Sequence, residues 1–184
     1  MPDLPSNAGP VLTALARAAI VRRLGGEAVS PQPSSWLDQM GASFVTLMAG
    51  GHLRGCIGSL EAYRPLHDDV PANALAAAFH DPRFAPLGSD ELDAIRIEVS
   101  VLSTPVPMAF ASEADALRKL RPGIDGVILE ARDRRATFLP QVWADLPDPA
   151  IFIRHLKRKA GLWAEYWQDI RLWRYTVTAF REPE

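Results

Sequence analysis

The sequence predicts an α+β protein in which a mainly antiparallel sheet is flanked by helices. Apolar and polar residues alternate over residues 95–101, the pattern of a strand with one buried face. Residues 43–48 and 52–59 also have strand patterns, and the Ala49-Gly50-Gly51 turn between them predicts a β-hairpin. Because these strands are mixed irregularly with helical segments, the pattern favours an antiparallel sheet.

Four segments have the features of helices. Pro10 suits the first helical position of one and Gly25 ends it, while Ser112 and Asp148 are suited to cap two others. In the remaining helix, Pro71 lies inside the apolar stripe, where we expect it to kink or restart the helix. The predicted helices cover residues 10–24, 66–80, 112–120 and 149–160.

Further strands are predicted in the second half of the chain. Two of them, at 126–130 and 136–139, are joined by residues 132–135. This turn is predicted to be exposed and mobile, because its four consecutive polar residues have no apolar partner. A single long strand is predicted over 170–180. No linker separates independent domains, so residues 1–184 are predicted to form a single domain.

Composition excludes several classes of protein. The chain of 184 residues has 20 Lys and Arg against 22 Asp and Glu, a net charge of -2. It therefore lacks the global basic field that would hold nucleic acid or an anionic membrane. No apolar run approaches the roughly 18 residues of a membrane span. The start of the chain also lacks the features of a signal peptide, so we expect a cytoplasmic protein.

The segment Leu53-Arg54-Gly55-Cys56-Ile57-Gly58 contains the single cysteine of the chain. One cysteine excludes an internal disulfide, a CxxC pair and an iron–sulfur cluster. Strand alternation predicts that Arg54 and Cys56 share one face, with Leu53 and Ile57 on the opposite, core-facing side. A guanidinium beside the thiol would favour the reactive thiolate.

The two glycines of this segment have two possible uses. Gly55 and Gly58 remove side chains where a ligand or another backbone could approach closely, and the N–H groups near them could collect an anion. The alternative is structural, because glycines often mark bulges and a free cysteine such as Cys56 is often a small buried hydrophobe. The pattern leaves both interpretations open.

Three charged residues are further candidates for this site. Glu98 could orient Arg54 or act as a general base beside Cys56, or it could be a solvated carboxylate on the outer face of its strand. Asp81 and Arg83 could face a cleft, or they could stabilise a local turn. The four histidines form no HExxH motif or zinc-finger spacing, and no phosphate- or dinucleotide-binding loop is present. We therefore predict no metal and no cofactor.

The second half of the chain carries basic and aromatic residues that are not part of this segment. Arginines cluster at 132–135 and basic residues at 154–159, and we do not predict nucleic-acid binding from them. Four aromatic residues crowd near the C-terminus, and they predict either core packing or a partner interface. They are Trp163, Tyr166, Trp167 and Trp173.

The stretch LRGCIGSLEAYRPL at 53–66 resembles the signature of the AMMECR-one family, also called AmmeMemoRadiSam system protein A. Further blocks follow in the order of the family, and they cover most of the chain from about Gly41 onward. They are AFHDPRFAPL (78–87), IEVSVLS (97–103), RPGIDGVILE (121–130), FLPQVW (138–143) and LKRKAGL (156–162). The resemblance implies an α+β core with a smaller subdomain, and an LRGCIG stretch that lines a cleft.

The resemblance also implies partners, because family members are associated with a Memo-like protein and a radical SAM protein. The first hypothesis is a partner subunit for those two proteins; with one cysteine, the chain lacks the three thiolates of a radical SAM cluster. The alternative is an enzyme that acts on a small substrate in the cleft. Cys56 would be its nucleophile, activated by Arg54 and Glu98.

Overall fold

The computed structural model describes residues 4–182 as an α+β protein, which confirms the predicted fold class. The α-helices are α1 (Ala8–Arg23), α2 (Leu66–Phe79), α3 (Glu113–Lys119) and α4 (Pro149–Lys159). The first strands are β1 (Met40–Gly41), β2 (Ser43–Ala49), β3 (His52–Gly58), β4 (Arg64–Pro65) and β5 (Ile95–Leu102). The others are β6 (Val106–Pro107), β7 (Gly126–Ala131), β8 (Arg134–Phe138), β9 (Arg171–Tyr175) and β10 (Val177–Arg181).

The chain divides into two compact units. Unit 1 contains the residues up to Ser103 and those from Thr178 onward, and unit 2 contains Thr104–Val177. Unit 1 is therefore discontinuous in sequence, and the whole of unit 2 is inserted between β5 and the end of the chain. The single domain expected over residues 1–184 stays a prediction.

The core of unit 1 lies between one sheet and two helices. The sheet has the strand order β10-β5-β2-β3, and β2 pairs antiparallel with both β3 and β5. Apolar side chains on alternate positions of β2 and β5 pack with the apolar stripes of α1 and α2. Fully buried members of this core are Leu12, Ile20, Val45, Leu47, Leu66, Val70, Ile97 and Val99.

The Glu182 carboxylate, near the end of the described residues, binds both helix α1 and strand β5. Glu182 pairs with the Arg17 guanidinium, at 2.5 Å from Nε and 2.6 Å from Nη2. The same carboxylate accepts the Ile97 N–H at 2.9 Å, and the Glu182 N–H donates to the Ile97 carbonyl at 3.0 Å. The sheet is therefore completed by residues that lie at the very end of the described chain.

Unit 2 has its own sheet and its own core. Its strand order is β6-β9-β7-β8, and α4 contributes buried Phe152, which stacks on Trp143 at 3.7 Å between ring centroids. Lys157 of α4 is also fully buried, but its ammonium donates to Glu113 at 2.7 Å and to the Ala164 carbonyl at 2.9 Å. These hydrogen bonds offset the cost of burying the charged ammonium group.

Local patterns located most elements correctly. The hairpin formed by β2 and β3, the strand β5 and the four helices lie where they were predicted, and Ser112 and Asp148 cap α3 and α4. Helix α2 runs through Pro71 as one helix, so the proline does not restart it. Residues 132–135 are exposed as predicted, and their mobility remains a prediction. Among the helices within residues 4–182, none has the length and apolar character needed to cross a membrane.

The prediction of one strand over 170–180 is wrong. The segment forms two strands, β9 and β10, which belong to different sheets. The chain leaves unit 2 and enters unit 1 near Thr176, although the alternation of apolar and polar residues continues across that point. Alternation reports that a segment is extended, but it does not report which sheet the segment joins.

Candidate functional site

Strand β3 carries the Leu53–Gly58 segment at one edge of the unit 1 sheet. Edge strands present unpaired main-chain groups. At Cys56 these groups are taken by side chains, because the Cys56 N–H donates to Asp81 Oδ2 at 2.9 Å and Arg83 Nη2 donates to the Cys56 carbonyl at 3.2 Å. Asp81 and Arg83 are themselves joined by a 2.7 Å hydrogen bond. Asp81 and Arg83 therefore satisfy the hydrogen-bonding groups of Cys56 at the sheet edge, as a neighbouring strand would.

Asp81 is the buried member of this pair, with 1% of its side chain exposed. Its Oδ1 also accepts the N–H and the Nε–H of Arg83, at 3.1 and 2.9 Å. The Arg83 guanidinium, followed by the Cys56 N–H, holds the pKa of the Asp81 carboxyl well below its ordinary value. Asp81 and Arg83, which were candidates for a cleft, thus have a defined contact with Cys56.

The side chain of Cys56 lies in a row that crosses three strands. Thr46 of β2 is opposite Cys56 on one side and opposite Glu98 of β5 on the other. The Thr46 hydroxyl donates to Cys56 Sγ at 3.3 Å, and the thiol-bearing residue is half-buried. Cys56 and Glu98 are two strand spacings apart, roughly 10 Å. Glu98 instead pairs with Arg181 of β10.

Arg54 does not follow simple strand alternation. The register shifts between Leu47 and Met48, so that Leu47 is opposite Gly55 but Met48 is opposite Leu53. Arg54 is the additional residue, which is the definition of a β-bulge. The bulge changes the phase of the strand, and Leu53, which alternation predicted to be in the core, is 41% exposed.

The Arg54 guanidinium binds Glu91 in a two-point ion pair. Arg54 Nε lies 2.7 Å from Oε1 and Nη2 lies 2.9 Å from Oε2. Hydrogen bonding to Glu91 raises the pKa of Arg54, and the same contact lowers the pKa of Glu91. The guanidinium also lies over the Phe84 ring, 5.9 Å from its centroid. Arg54 was predicted beside the Cys56 thiol, whereas Arg83 was a candidate for the cleft. Arg83 donates a hydrogen bond to the Cys56 carbonyl oxygen.

The two glycines of the segment allow other parts of unit 1 to approach β3. A Cβ atom on Gly55 would lie 2.2 Å from the Ala77 carbonyl oxygen of α2. A Cβ atom on Gly58 would lie 2.3 Å from the Phe44 ring and 2.5 Å from the Ser43 carbonyl oxygen. The predicted close approach of a ligand or another backbone is thus met at both glycines by main-chain carbonyl groups of unit 1.

A buried polar network close to the segment was missed by the sequence analysis. Asp69 is fully buried, and its carboxylate accepts hydrogen bonds from main-chain and side-chain groups of four other residues. The donors are the Ser43 N–H and hydroxyl, the Ser59 hydroxyl, Arg64 Nε and Asn73 Nδ2, at 2.6 to 2.9 Å. One signal was present, since Asp69 and Asn73 fall on the apolar stripe of α2 at helical spacing.

Comparison with known proteins identifies the family of this structure. The family model described as AMMECR1 matches residues 13–180. The chain belongs to the AMMECR1 family. Within the family, it is 38% identical over 185 residues to a protein of Methanothermobacter thermautotrophicus, covering 97% of this chain and 96% of that protein. It is 34% identical to Protein MJ0810 of Methanocaldococcus jannaschii, covering 92% of this chain and 87% of that protein.

A solved structure of an AMMECR1 relative has the same fold. The crystal structure of the uncharacterized protein PH0010 from Pyrococcus horikoshii superposes with a TM-score of 0.77 at 33% identity. The match covers 95% of this chain and 91% of that chain. Within residues 4–182 of the AMMECR1 protein described here, no group of three or more His, Cys, Asp or Glu residues is arranged to hold a metal ion.

We expect the Asp81→Asn variant to lose about 2 kcal/mol of stability at neutral pH, because the charged acceptor of Arg83 and the Cys56 N–H is removed. The pKa of Asp81 is depressed in the folded protein. Its contribution is therefore complete above the ordinary Asp pKa of about 3.9 and is lost as pH falls toward the lower folded value. Urea titrations at a series of pH values should show that the difference in free energy of unfolding between wild type and variant becomes smaller as the pH falls.

A control for this experiment is Asp90→Asn, which neutralises an exposed aspartate of the same unit. It should leave the pH dependence close to that of the wild type. If the difference in free energy of unfolding between wild type and Asp81→Asn stays constant down to pH about 3, the pKa of Asp81 is not lowered in the folded protein and the prediction is wrong.

Proposed function

We propose that this AMMECR1 protein is a binding subunit that works with a Memo-like protein and a radical SAM protein. One observation supports this most directly: each charged group near Cys56 is engaged in holding the fold. Arg83 and Asp81 bind the Cys56 main chain, Arg54 binds Glu91, and Glu98 binds Arg181. Such a segment is a rigid part of a surface strand, as a preformed binding surface requires.

Direct binding measurements test this proposal. The protein is mixed with the purified Memo-like and radical SAM proteins of its own organism, and association is followed by isothermal titration calorimetry and sedimentation velocity. We expect saturable binding to one or both proteins. The Cys56→Ala variant should bind as the wild type does, because the partner role does not use the thiol. Absence of association with both proteins would overturn the proposal.

The alternative is an enzyme that acts on a small substrate through Cys56. The observation in its favour is a half-buried thiol on the face of the sheet, with the Thr46 hydroxyl 3.3 Å from Sγ. A reactive cysteine needs access to its substrate and a group that supports the thiolate. Glu98 lies in the same cross-strand row as Thr46 and Cys56. A substrate bound on this row could contact both Cys56 and Glu98.

Alkylation of the native protein tests the reactivity of this thiol. We expect iodoacetamide to modify the folded wild-type protein once, with a rate that rises with pH because the thiolate is the nucleophile. Cys56→Ser should remain unmodified, since Cys56 is the single cysteine. The readout is intact-protein mass spectrometry. A thiol that is alkylated only after the protein is unfolded would make Cys56 a packing residue and would remove the enzyme alternative.

A further inference from the structure

Trp163 of unit 2 is mostly exposed to solvent, although tryptophan side chains are usually well buried. Trp163 is 67% exposed, whereas Tyr166, three residues later, is 6% exposed. The two rings meet edge to face, with 5.4 Å between centroids and 84° between planes. The indole is therefore supported from below by a buried ring and offers much of its surface to solvent. Exposed large aromatic side chains on a supported base are characteristic of interface anchors.

Two arginines lie beside residues close to Trp163. The Arg132 guanidinium lies over the Tyr166 ring, 6.0 Å from its centroid. Arg134 Nη1 lies 3.0 Å from the position that a Cβ atom of Gly161 would take, two residues before Trp163. We call Arg132, Arg134, Trp163 and Tyr166 the Trp163 surface. Its composition is Trp, Tyr and Arg, the residue types that dominate binding energy at protein interfaces.

The cations of this surface are available to a partner. Asp133 is the acidic residue between them, but it is 85% exposed and approaches Arg134 only to 3.8 Å, so the ion pair is weak. Unit 2, residues 104–177, carries 12 Lys and Arg against 9 Asp and Glu, whereas the whole chain has a net charge of -2. The residues of unit 2 therefore carry a net positive charge, which suits an acidic ligand better than the charge of the whole chain does.

The backbone at Arg132 gives independent support. Arg132 has a φ of 55°, in the left-handed region that favours glycine. A non-glycine residue in this region costs stability, and a glycine at this place in the hairpin turn would remove the strain. The sequence nevertheless places a guanidinium there. Asp169 has the same φ of 55°, but aspartate adopts this region more readily than arginine does. Strain that is kept at an arginine is expected when its charge is used in binding.

We propose that the Trp163 surface binds an acidic segment of a protein partner, with apolar side chains packed on the indole and carboxylates paired with Arg132 and Arg134. The choice of a protein as the partner rests on the proposed function. A single-stranded nucleic acid fits the surface less well, because its phosphates need a continuous basic track. Here the exposed carboxylate of Asp133 lies between the two arginines in the sequence.

A fluorescein-labelled peptide of alternating Glu and Leu residues is the probe, and its counterpart with Gln in place of Glu is the reference. Fluorescence anisotropy with the full-length protein should show at least tenfold tighter binding of the acidic peptide, about the effect of one or two charge-assisted contacts. Trp163→Ala and Arg132→Gly should each weaken that binding about tenfold. Equal affinity for the two peptides, or variants that bind as the wild type does, would overturn the proposal.

Two controls separate binding from folding. Arg132→Gly relieves the positive φ, so its melting temperature should equal or exceed that of the wild type while its binding of the acidic peptide is weakened. Arg118→Gln removes a 71% exposed arginine elsewhere in unit 2 and should bind the peptide normally. If an oligothymidylate of similar length binds more tightly than the acidic peptide, the surface is a nucleic-acid site and the proposal is wrong.

The same variants distinguish this inference from the proposed function. If the wild-type protein binds neither the Memo-like nor the radical SAM protein but binds the acidic peptide through Trp163, the proposed function fails and the surface assignment stands. If the wild type binds one of those proteins and Trp163→Ala binds it equally well, the proposed function stands and this inference fails.

Discussion

Replacing Gly55 with alanine is expected to destabilise unit 1 by about 3 kcal/mol, an effect near the upper end for overpacking of a core. The added Cβ atom would lie 2.2 Å from the Ala77 carbonyl oxygen, and both atoms belong to main chain. Neither side can adjust by changing a rotamer, so helix α2 must move away from strand β3. Because β3 holds Cys56, this movement would also alter the candidate site.

Urea unfolding followed by circular dichroism measures this loss, and hydrogen exchange of the β2 and β3 amides assigns it to unit 1. Leu53→Ala is the matched control on the same strand, because Leu53 is 41% exposed and should change stability little. A Gly55→Ala protein with wild-type stability would show that the Ala77 carbonyl of α2 does not approach Gly55 this closely.

The second large effect is expected for Asp69→Asn, at about 3 kcal/mol or more. The carboxylate is fully buried and accepts five hydrogen bonds, including one of 2.7 Å from Arg64 Nε. An amide of the same shape removes the charge and turns one acceptor into a donor that faces other donors. Removing one partner of a buried ion pair leaves the hydrogen-bonding groups of the other partner unsatisfied. This costs more stability than replacing both partners by apolar residues.

Equilibrium unfolding in urea checks this prediction, with Asp68→Asn as the control. Asp68 is the preceding residue and its side chain is 60% exposed, so its neutralisation should have little effect. A double-mutant cycle with Arg64→Gln isolates the ion pair, since the second change should cost little once Asp69 is neutral. Similar losses for Asp68→Asn and Asp69→Asn would contradict a buried network.

The sequence was informative wherever one local rule determined the structure. Alternation located β5, and the Gly50-Gly51 turn located the β2–β3 hairpin, because both signals arise within a few residues. Ser112 was predicted as a cap because a hydroxyl before a helix bonds the first orphan N–H groups. Such features depend on neighbouring residues alone and need no knowledge of the rest of the fold.

The site was predictable only in part, because its contacts join distant segments. The involvement of Cys56, Asp81 and Arg83 could be suggested, but the hydrogen bond between the Cys56 N–H and Asp81 spans 25 residues. The bulge at Arg54 could not be predicted, since one extra residue in a strand leaves no distinct local pattern. The same limit applies to the division of residues 171–181 between two sheets.

The insertion of unit 2 into unit 1 has a consequence for how the protein is made. As the chain leaves the ribosome, α1 emerges first, but the Glu182 carboxylate that Arg17 binds follows 165 residues later. Strand β5 lacks its outer neighbour, β10, until the whole of unit 2 has been translated and β10 follows it. An open strand edge is a site of misassembly during folding. A nascent or truncated chain that ends at Ser103 would therefore expose this edge to other chains, and the edge is covered once β10 pairs with β5.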